Sequence, residues 1–405
     1  MSLLYRRQTV FAILIFTIII DVMGFGLVIP MLSNLFFGAH PALSNPADSA
    51  MWRHIDYGIS LAAWPIGIFF GAAYLGKLSD SYGRKPLMIL CLLGEAVSYV
   101  LAVLSLYWRS VPLFVISRAL AGYFSGSFDL AQAAVVDIST DADRLRNMGW
   151  ITFAGTTGFI FGPLVSGLTA HISLTTPLWI AVFLSLANAL ILWLVFRERF
   201  TLKHHIQVPF SVVFTACILV FRDRRVRRLA WVFLFSQIAW ALYVLTLPVM
   251  AHQLLGWNTR GQSILFMTSG IASVLNLLLL QPRLFKRFSH KSMVMGSVIV
   301  WILLMLGLIL YPVVWNQYVV IAALSVGMLV IYTAMLSFLS HAVTTDEQGA
   351  VLGGIASCFA IAQMVGAVCL SFLLNISVFL PLWISLVFII LCALTLRSYR
   401  HDILS

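Results

Sequence analysis

Twelve apolar runs, separated by short polar stretches, organise the chain. A membrane-spanning helix needs about 20 predominantly apolar residues. Runs of about this length lie near 9–35, 55–76, 87–107, 112–136, 148–171, 177–196, 229–251, 262–281, 292–312, 317–340, 349–375 and 378–396. The first run holds Asp21 and is too long and too polar at its centre for a cleaved signal sequence. The pattern predicts an all-α membrane protein with twelve transmembrane helices.

The composition supports this prediction. Of the 405 residues, 61% are hydrophobic and 10% are charged, whereas soluble domains carry about 25% charged residues. Because the five cysteines are isolated and form no paired motif, we expect no disulfide, no metal and no cofactor. No HExxH, GxSxG or P-loop motif occurs in the sequence, so it does not indicate an enzyme.

The basic residues predict the orientation of the chain. With the N-terminus in the cytoplasm, 21 of the 25 Lys and Arg residues lie in inner loops and tails. Arg53, Arg109 and Arg260 lie outside, and Arg118 lies within a span. Because inner loops of membrane proteins are enriched in Lys and Arg, both termini are predicted to be cytoplasmic. The net charge of +11 is spread over these loops and does not indicate a nucleic-acid partner.

A basic segment divides the spans into six and six. This predicts an N-terminal six-helix bundle at 1–196, a central loop at 197–228, and a C-terminal bundle with a short tail at 229–405. Residues 208–221 of the loop are apolar but too few to cross a bilayer. They fit an interfacial helix or an early start of the seventh span. Six-plus-six repeats build one large class of transporters.

The loop between the second and third spans, GKLSDSYGRKP, is the most specific signal. It combines two glycines, one acid and two bases, at Gly76, Gly83, Asp80, Arg84 and Lys85. Glycine permits tight backbone turns, and a carboxylate can accept charge-assisted hydrogen bonds from a helix end or an arginine. The charges alone would suit any basic inner loop, but the complete spacing is more restrictive. We therefore expect a loop with a role in conformational gating.

This loop resembles the signature of the major facilitator superfamily, G-x-x-x-D-x-x-G-R-[RK]. The spacing Arg118-x-x-x-Gly122 is similar to the family's helix 4 motif. A stretch of the fifth span is similar to the antiporter pattern G-x-x-x-G-P-x-x-G-G, and its matching residues are Gly158, Gly162, Pro163 and Gly167. The opening DVMGFGLVIPML resembles the tetracycline-efflux branch of drug:proton antiporters. The resemblance implies a two-bundle transporter in the bacterial inner membrane.

The glycines of the fifth span also have a purely structural interpretation. Small residues on one helical face allow membrane helices to approach closely. We interpret Gly158 and Gly167 as packing residues. For Gly162 and Pro163 a functional bend remains equally open, because proline removes a backbone hydrogen bond.

Four ionisable side chains lie within the predicted spans, and they are Asp21, Glu95, Arg118 and Asp129. Each costs at least ~2.5–3.5 kcal/mol at the centre of a helix and is therefore a functional candidate. At 1.5 Å per residue, Asp21 and Arg118 lie roughly 18 and 21 Å from the cytoplasmic side. We predict that they face each other, either in proton coupling or as a static ion pair.

The fourth span carries a polar stripe that includes Arg118, Gly122, Ser125, Asp129 and Gln132 at helical spacing. Such a stripe suits the wall of a water-filled cavity. Burial raises the pKa of a carboxyl in general and a nearby cation lowers it. Asp21 and Asp129 are the main predicted proton carriers, with Glu95 a further candidate.

The second half carries polar and aromatic residues but no buried charge. The candidates for substrate contact are Gln237, Trp240, Tyr243, Asn276, Tyr332 and Gln363. Individually each fits core packing or an interhelical hydrogen bond. Together they would suit a bulky, partly aromatic compound, a cation included.

These features predict a monomeric proton antiporter that exports a small amphipathic compound or drug by alternating access. A symporter of the same fold that imports a nutrient, metabolite or siderophore is the first alternative, because fold does not fix direction. A membrane-embedded receptor or enzyme is a remote alternative. The expected partners are the small molecule, protons and the lipid bilayer.

Overall fold

A computed structural model of the protein describes residues 2–38, 41–44, 49–196, 218, 220–311, 314–343 and 345–398. Within these ranges the chain is helical and contains no strand. The helices are α1 (Ser2–Phe37), α2 (Ala50–Tyr82), α3 (Arg84–Tyr107), α4 (Val111–Phe124), α5 (Ser127–Ile138), α6 (Asp141–Thr169), α7 (Thr176–Val195), α8 (Arg227–Leu255), α9 (Thr259–Leu275), α10 (Gln281–Arg287), α11 (His290–Leu310), α12 (Val314–His341), α13 (Thr345–Leu373) and α14 (Leu380–Arg397). A π-helical turn, Asn276–Leu280, joins α9 to α10.

The described residues contain 12 stretches long and apolar enough to cross a membrane. Helices α4 and α5 together form one of these stretches, and α9, the π-turn and α10 form another. This confirms the predicted all-α membrane fold with twelve spans. Of the ambiguous segment 208–221, only residues 218, 220 and 221 lie within the described ranges, and α8 begins after the segment at Arg227.

The fourth span is not the continuous helix that the apolar run suggested. Helix α4 ends at Phe124 and α5 begins at Ser127. The Ser125 hydroxyl donates to the Gly122 carbonyl oxygen at 2.8 Å, and the Ser125 amide donates to the same oxygen at 3.3 Å. Adjacent serine and glycine residues are a common cause of such interruptions, because the serine hydroxyl competes for backbone acceptors. The predicted polar stripe is therefore divided between two short helices.

Glycines set the distance between α1 and α6. A Cβ atom added at Gly162 would lie 2.5 Å from the Met23 carbonyl oxygen and 2.8 Å from the Leu27 amide nitrogen. A Cβ atom at Gly158 would lie 2.8 Å from the Ile19 carbonyl oxygen. No side chain fits at either position without moving a backbone. In a lipid environment, where apolar burial alone does not drive helix association, this close packing holds α6 against α1.

The positions of the Cα atoms divide the chain into two compact units. The first contains Met1–Pro46, Ala63–Phe210 and Asn258–Met267, and the second contains Ala47–Ala62, Ser211–Trp257 and Thr268–Ser405. The start of α2 thus groups with the second unit and the start of α9 with the first. The sequence-based division at 197–228 does not describe these two exchanged segments, and the two six-helix bundles stay a prediction.

Hydrogen bonds tie each exchanged segment to its unit. In the first unit, the Ser33 hydroxyl donates to the Gln262 side-chain oxygen at 2.9 Å, and the Asn34 amide donates to Thr259 at 2.6 Å. In the second unit, the Tyr57 hydroxyl donates to the Leu245 carbonyl oxygen at 3.2 Å. Specific polar contacts, rather than apolar packing alone, therefore fix both segments.

Candidate functional site

Two carboxyl groups and one hydroxyl meet in the first unit. The Ser127 hydroxyl lies 2.6 Å from Asp21 Oδ1 and 3.5 Å from Glu95 Oε1. The Asp21 and Glu95 side chains are also within hydrogen-bond range of each other. Because an ionised carboxylate can only accept hydrogen bonds, a bond between the two requires a proton on one of them. Two carboxyl groups this close are suited to sharing one proton, because two adjacent negative charges repel each other.

The break in the fourth span gives this pair a helix N-terminus. Helix α5 begins at Ser127. The preceding residue, Gly126, has no side chain that could cap the helix. The first amides of a helix lack intrahelical partners and carry partial positive charge. The Phe128 amide donates to the Ser125 carbonyl oxygen over 3.4 Å and also lies close to the Asp21 carboxyl. The Asp21 carboxyl from α1 therefore lies at the uncapped N-terminus of α5, where it accepts from the Ser127 hydroxyl.

Asp129 lies in the first turn of α5 and is exposed, unlike the buried Glu95. Its one described electrostatic neighbour is Asp21. The structure thus brings three of the four predicted charged residues, Asp21, Glu95 and Asp129, to the start of α5. Of these, Asp129 is the one whose side chain is exposed at the protein surface.

Arg118 has a different environment. It lies on α4, is buried, and has the phenol of Tyr99 as its described electrostatic neighbour. None of the ion pairs among the described residues joins it to Asp21, whose polar partners are Ser127, Glu95 and the Phe128 amide. The predicted pairing of Asp21 with Arg118 is not found among the described contacts, because Asp21 contacts Ser127 on α5 and Arg118 lies on α4.

The predicted gating loop forms specific contacts at the ends of four helices, α2, α3, α5 and α7. Gly83, the residue between α2 and α3, has a φ of 96°. Glycine adopts such a positive φ more readily than other residues do. The Arg84 Nε donates to Asp137 Oδ2 at the end of α5 over 3.4 Å, and the Lys85 ammonium donates to the Trp193 carbonyl oxygen of α7 over 2.7 Å. These contacts join the start of α3 to α5 and α7. The Asp80 side chain lies outside the described residues.

A Cβ added at Gly76 would meet no atom within 4 Å. The Gly76 carbonyl oxygen accepts a hydrogen bond from the Ser79 hydroxyl at 2.6 Å. Ser79 in turn accepts from Arg84. Arg84 therefore links the end of α2 with the end of α5. Asp137 and Ser79 have ordinary positions in the sequence, so only the folded contacts distinguish them.

The fifth-span glycines have different neighbours. Gly158 and Gly162 face α1, whereas a Cβ at Gly167 would lie 2.7 Å from the Ser263 Cβ of α9. The Pro163 ring packs against Gly26 of α1. Helix α6 is continuous through Pro163. All four positions serve close packing, and a functional bend at Pro163 stays a prediction.

In the second unit, several buried polar groups of the described residues have no hydrogen-bond partner. Gln237 is 0% exposed, and neither its side-chain oxygen nor its nitrogen is paired. The hydroxyl of Tyr243, the side-chain oxygen of Asn276 and the indole nitrogen of Trp301 are also unpaired. Such groups cost roughly 1–3 kcal/mol each. Because these atoms are buried, a ligand or water would become their partner only after the surrounding helices open.

Aromatic rings accompany these groups. The ring centroid of Trp240 lies 6.0 Å from that of Trp301 and 6.0 Å from that of Tyr243. Tyr332 packs against Phe233 of α8 at 5.8 Å, and Gln363 on α13 is buried. Asn276 lies in the π-turn and donates to the Val326 carbonyl oxygen at 3.3 Å. The structure adds Trp301, which the sequence did not single out from other tryptophans in apolar runs.

Comparisons with known proteins agree with this architecture. The family model of the Major Facilitator Superfamily matches residues 12–367. The chain is 24% identical to the tetracycline resistance protein, class H, of Pasteurella multocida over 98% of this chain and 97% of that one. The crystal structure of the human organic anion transporter MFSD10 (TETRAN) matches with a TM-score of 0.74 and 21% identity, covering 96% of this chain and 99% of that one. That of a D-xylose–proton symporter matches with a TM-score of 0.77 and 14% identity, over 98% of both chains.

Proposed function

Because the chain belongs to the major facilitator superfamily, we propose that it is a proton-coupled antiporter that exports a small amphipathic compound by alternating access. Members of this family are transporters of small molecules in membranes and not enzymes. Proton coupling, outward direction and substrate class are the specific elements of the proposal. We further propose a monomer in a bacterial inner membrane with both termini cytoplasmic, as its basic inner loops favour.

The Asp21–Glu95 pair is the observation that carries the proposal. A shared proton leaves the pair with one negative charge, which Ser127 and the N-terminus of α5 stabilise. Loss of that proton leaves two like charges within hydrogen-bond range, and these repel each other. Deprotonation would therefore separate α1 from α3 at this depth. Such a separation couples proton release to a change in helix position.

Asp129 completes a route for the proton. It is exposed, whereas Glu95 is 4% exposed, and it lies two residues after Ser127 at the start of α5. We propose that Asp129 passes protons between water and the buried pair. The contacts of Arg84 with Asp137 and of Lys85 with α7 would then change as the inner ends of the helices move, which gives the gating loop its role.

Export is supported by the named relatives and by the fifth span. Proteins named for tetracycline resistance match nearly the whole chain at 24% identity. The glycine face of α6 resembles the antiporter pattern. The unpaired groups of Gln237, Tyr243 and Asn276, with the rings of Trp240 and Tyr332, would contact the substrate in the second unit. This division assigns proton exchange to the first unit and apolar and amide contacts to the second.

Inverted membrane vesicles with an established pH gradient test the coupling. A panel that contains tetracycline, aromatic carboxylates and aromatic amines is added, and proton release is followed with a pH-sensitive dye. Asp21→Asn and Glu95→Gln are each expected to abolish substrate-induced proton release while substrate–substrate exchange continues. Asp143→Asn, which removes a carboxylate from a surface ion pair with Arg146, is the matched control and is expected to retain release.

The same vesicles test the direction. An antiporter releases stored protons when substrate is added, whereas a symporter moves substrate and protons the same way. Substrate-induced release that both carboxyl variants retain in full would contradict the proposed coupling. Parallel movement of substrate and protons would instead establish the importing alternative.

A further inference from the structure

Arg118 is a buried cation without an ionised partner among the described residues. It is 6% exposed and lies seven residues after the start of α4, or about 11 Å into that helix. Its described electrostatic neighbour, the Tyr99 phenol, is neutral when protonated. Buried charges in proteins are normally paired, because an isolated one is costly to remove from water. The burial of this charge therefore favours binding of an anionic partner that the described side chains do not supply.

The three carboxyl groups near the start of α5 do not provide the compensation. Asp21 and Glu95 bind each other, Ser127 and the start of α5, and Asp129 has Asp21 as its described neighbour. An arginine cannot lose its charge by deprotonation in a protein. The positive charge at residue 118 is therefore permanent.

The surroundings hold Arg118 in place. Helix α4 packs backbone to backbone against α2, since a Cβ at Gly122 would lie 1.9 Å from the Trp64 carbonyl oxygen. Tyr99 is itself buried, and a Cβ at Gly24 would lie 1.9 Å from its hydroxyl oxygen. The charge is thus carried by a closely packed helix and has a buried phenol as its described neighbour. Close packing of this kind around a polar group is expected of a binding site rather than of a surface charge.

We propose that Arg118 binds an anionic group of the transported compound, and that this group is a carboxylate. The guanidinium offers five donors in a planar fork that matches a carboxylate with two parallel hydrogen bonds. Tyr99, the described electrostatic neighbour of Arg118, carries a hydroxyl that would serve as a further donor. The exported compound would then be an organic anion, with its charge at α4 and its apolar part elsewhere. This inference rests on the proposed transport function and specifies its substrate class.

Ligand binding to the purified, full-length protein in nanodiscs tests the proposal. The probes are 4-phenylbutyrate, glutarate and citrate, each compared with its uncharged amide, and the readout is the thermal midpoint and the dissociation constant. At least one carboxylate is expected to bind, with its amide at least tenfold weaker, since charge-assisted hydrogen bonds are lost. Arg118→Gln is expected to weaken that carboxylate by tenfold or more.

Two further variants keep the test decisive. Arg118→Lys retains the charge without the planar fork and is expected to bind with intermediate affinity, which covers the case in which Arg118→Gln fails to fold. Arg109→Gln removes an exposed arginine from the outer loop and is expected to bind as the unmodified protein does. Binding of none of the three carboxylates, equal binding of acid and amide, or unchanged affinity in Arg118→Gln would overturn the proposal.

The phosphate group of an anionic lipid is the other anionic group that could bind Arg118. Nanodiscs of pure phosphatidylcholine are therefore compared with nanodiscs that contain phosphatidylglycerol. An Arg118-dependent gain in thermal midpoint with phosphatidylglycerol, and no response to the carboxylates, would overturn the assignment to a soluble substrate. Asp21→Asn separates this proposal from the transport mechanism: it is expected to bind the carboxylate but to lose proton coupling, so each failure is recognisable by itself.

Discussion

Helices α1 and α8 are the first helices of the two predicted halves. They differ in whether their central polar residue has hydrogen-bond partners. On α1, the Asp21 carboxyl has three partners, which are the Ser127 hydroxyl, the Glu95 carboxyl and the Phe128 amide. On α8, the Gln237 amide is fully buried and has no hydrogen-bond partner among the described residues. A group that can ionise is thus surrounded by partners, whereas a neutral amide is left unpaired.

The difference follows from what each group costs. An ionised carboxyl in a membrane costs several kcal/mol unless a donor or a proton compensates it. A neutral amide without a partner costs roughly 1–3 kcal/mol, which a folded helix bundle tolerates. A group that exchanges protons therefore needs all its polar partners in the folded protein. A neutral amide can gain its hydrogen-bond partners when the substrate binds.

The neighbours of the two helices differ as well. The backbone of α1 meets two glycines of α6, whereas α8 meets one glycine of α13: a Cβ at Gly366 would lie 2.6 Å from the Ala241 Cβ. A Cβ at Gly162 would meet backbone atoms of Met23, Gly26 and Leu27 at 2.5 Å, 2.8 Å and 2.8 Å. At Gly366 one atom alone, the Ala241 Cβ, would lie closer than 3 Å. The α1–α6 contact is therefore the more sensitive of the two.

The largest effect is expected from Gly162→Ala. The added methyl group would displace α6 from α1 at a destabilisation of about 2–3 kcal/mol, as overpacked cores show, and the thermal midpoint of the purified protein measures it. Gly366→Ala is expected to cost less. Gly149→Ala, on the same helix as Gly162 but with nothing within 4 Å, is the control and is expected to be neutral or to stabilise the helix slightly. Equal midpoints for the Gly162 and Gly149 variants would remove the proposed difference.

A smaller effect is expected from Ser127→Ala, which removes the donor shared by Asp21 and Glu95. A hydrogen bond to a charged group contributes about 1.5–3 kcal/mol, so the rate of proton-coupled transport at neutral pH should fall roughly 10- to 100-fold. The dependence of the rate on pH should also shift, and Ser127→Thr should restore it. A merely structural serine would lower the rate without a change in its pH dependence.

Ser117→Ala is the matched control for this variant. The Ser117 hydroxyl donates to the Phe114 carbonyl oxygen of its own helix at 2.6 Å and contacts no carboxyl among the described residues. The control variant should therefore retain both the rate and its pH dependence. A shift of similar size in both variants would show that any lost hydroxyl on the fourth span has this effect.

The spans were predictable because lipid imposes a simple rule on sequence: a helix must present about 20 apolar residues. The gating loop was predictable because its glycines, acid and bases lie within one short segment. Asp21, Glu95 and Asp129 were visible as charges in apolar runs, since every such charge is costly. These features depend on composition over short windows, and they need no knowledge of which helix faces which.

The partners of the charges were not predictable in the same way. Depth along a helix placed Asp21 and Arg118 at similar levels, but it did not give the rotation of α1 or the break after Phe124. Ser127 and Tyr99 are ordinary neutral residues in a span, and only the folded contacts distinguish them. The Ser125-Gly126 pair was a signal for the break, because this combination often interrupts helices. The buried, unpaired indole of Trp301 left no signal in the sequence.

The smallest effect on stability is expected from Gln237→Leu, and it addresses the unpaired side of the comparison. Leucine has a similar size and brings no polar atoms, so the variant removes two buried groups that lack partners. Replacing such groups by apolar atoms is neutral or stabilising, and the thermal midpoint should stay the same or rise slightly. The affinity for substrate should nevertheless fall, because the amide is no longer present to bind it.

Asp21→Leu should behave in the opposite way and lower the midpoint, since Ser127 and the start of α5 would lose their acceptor. If Gln237→Leu destabilised the protein as strongly as Asp21→Leu, the amide would have a structural partner, and the assignment of substrate contact to α8 would be wrong.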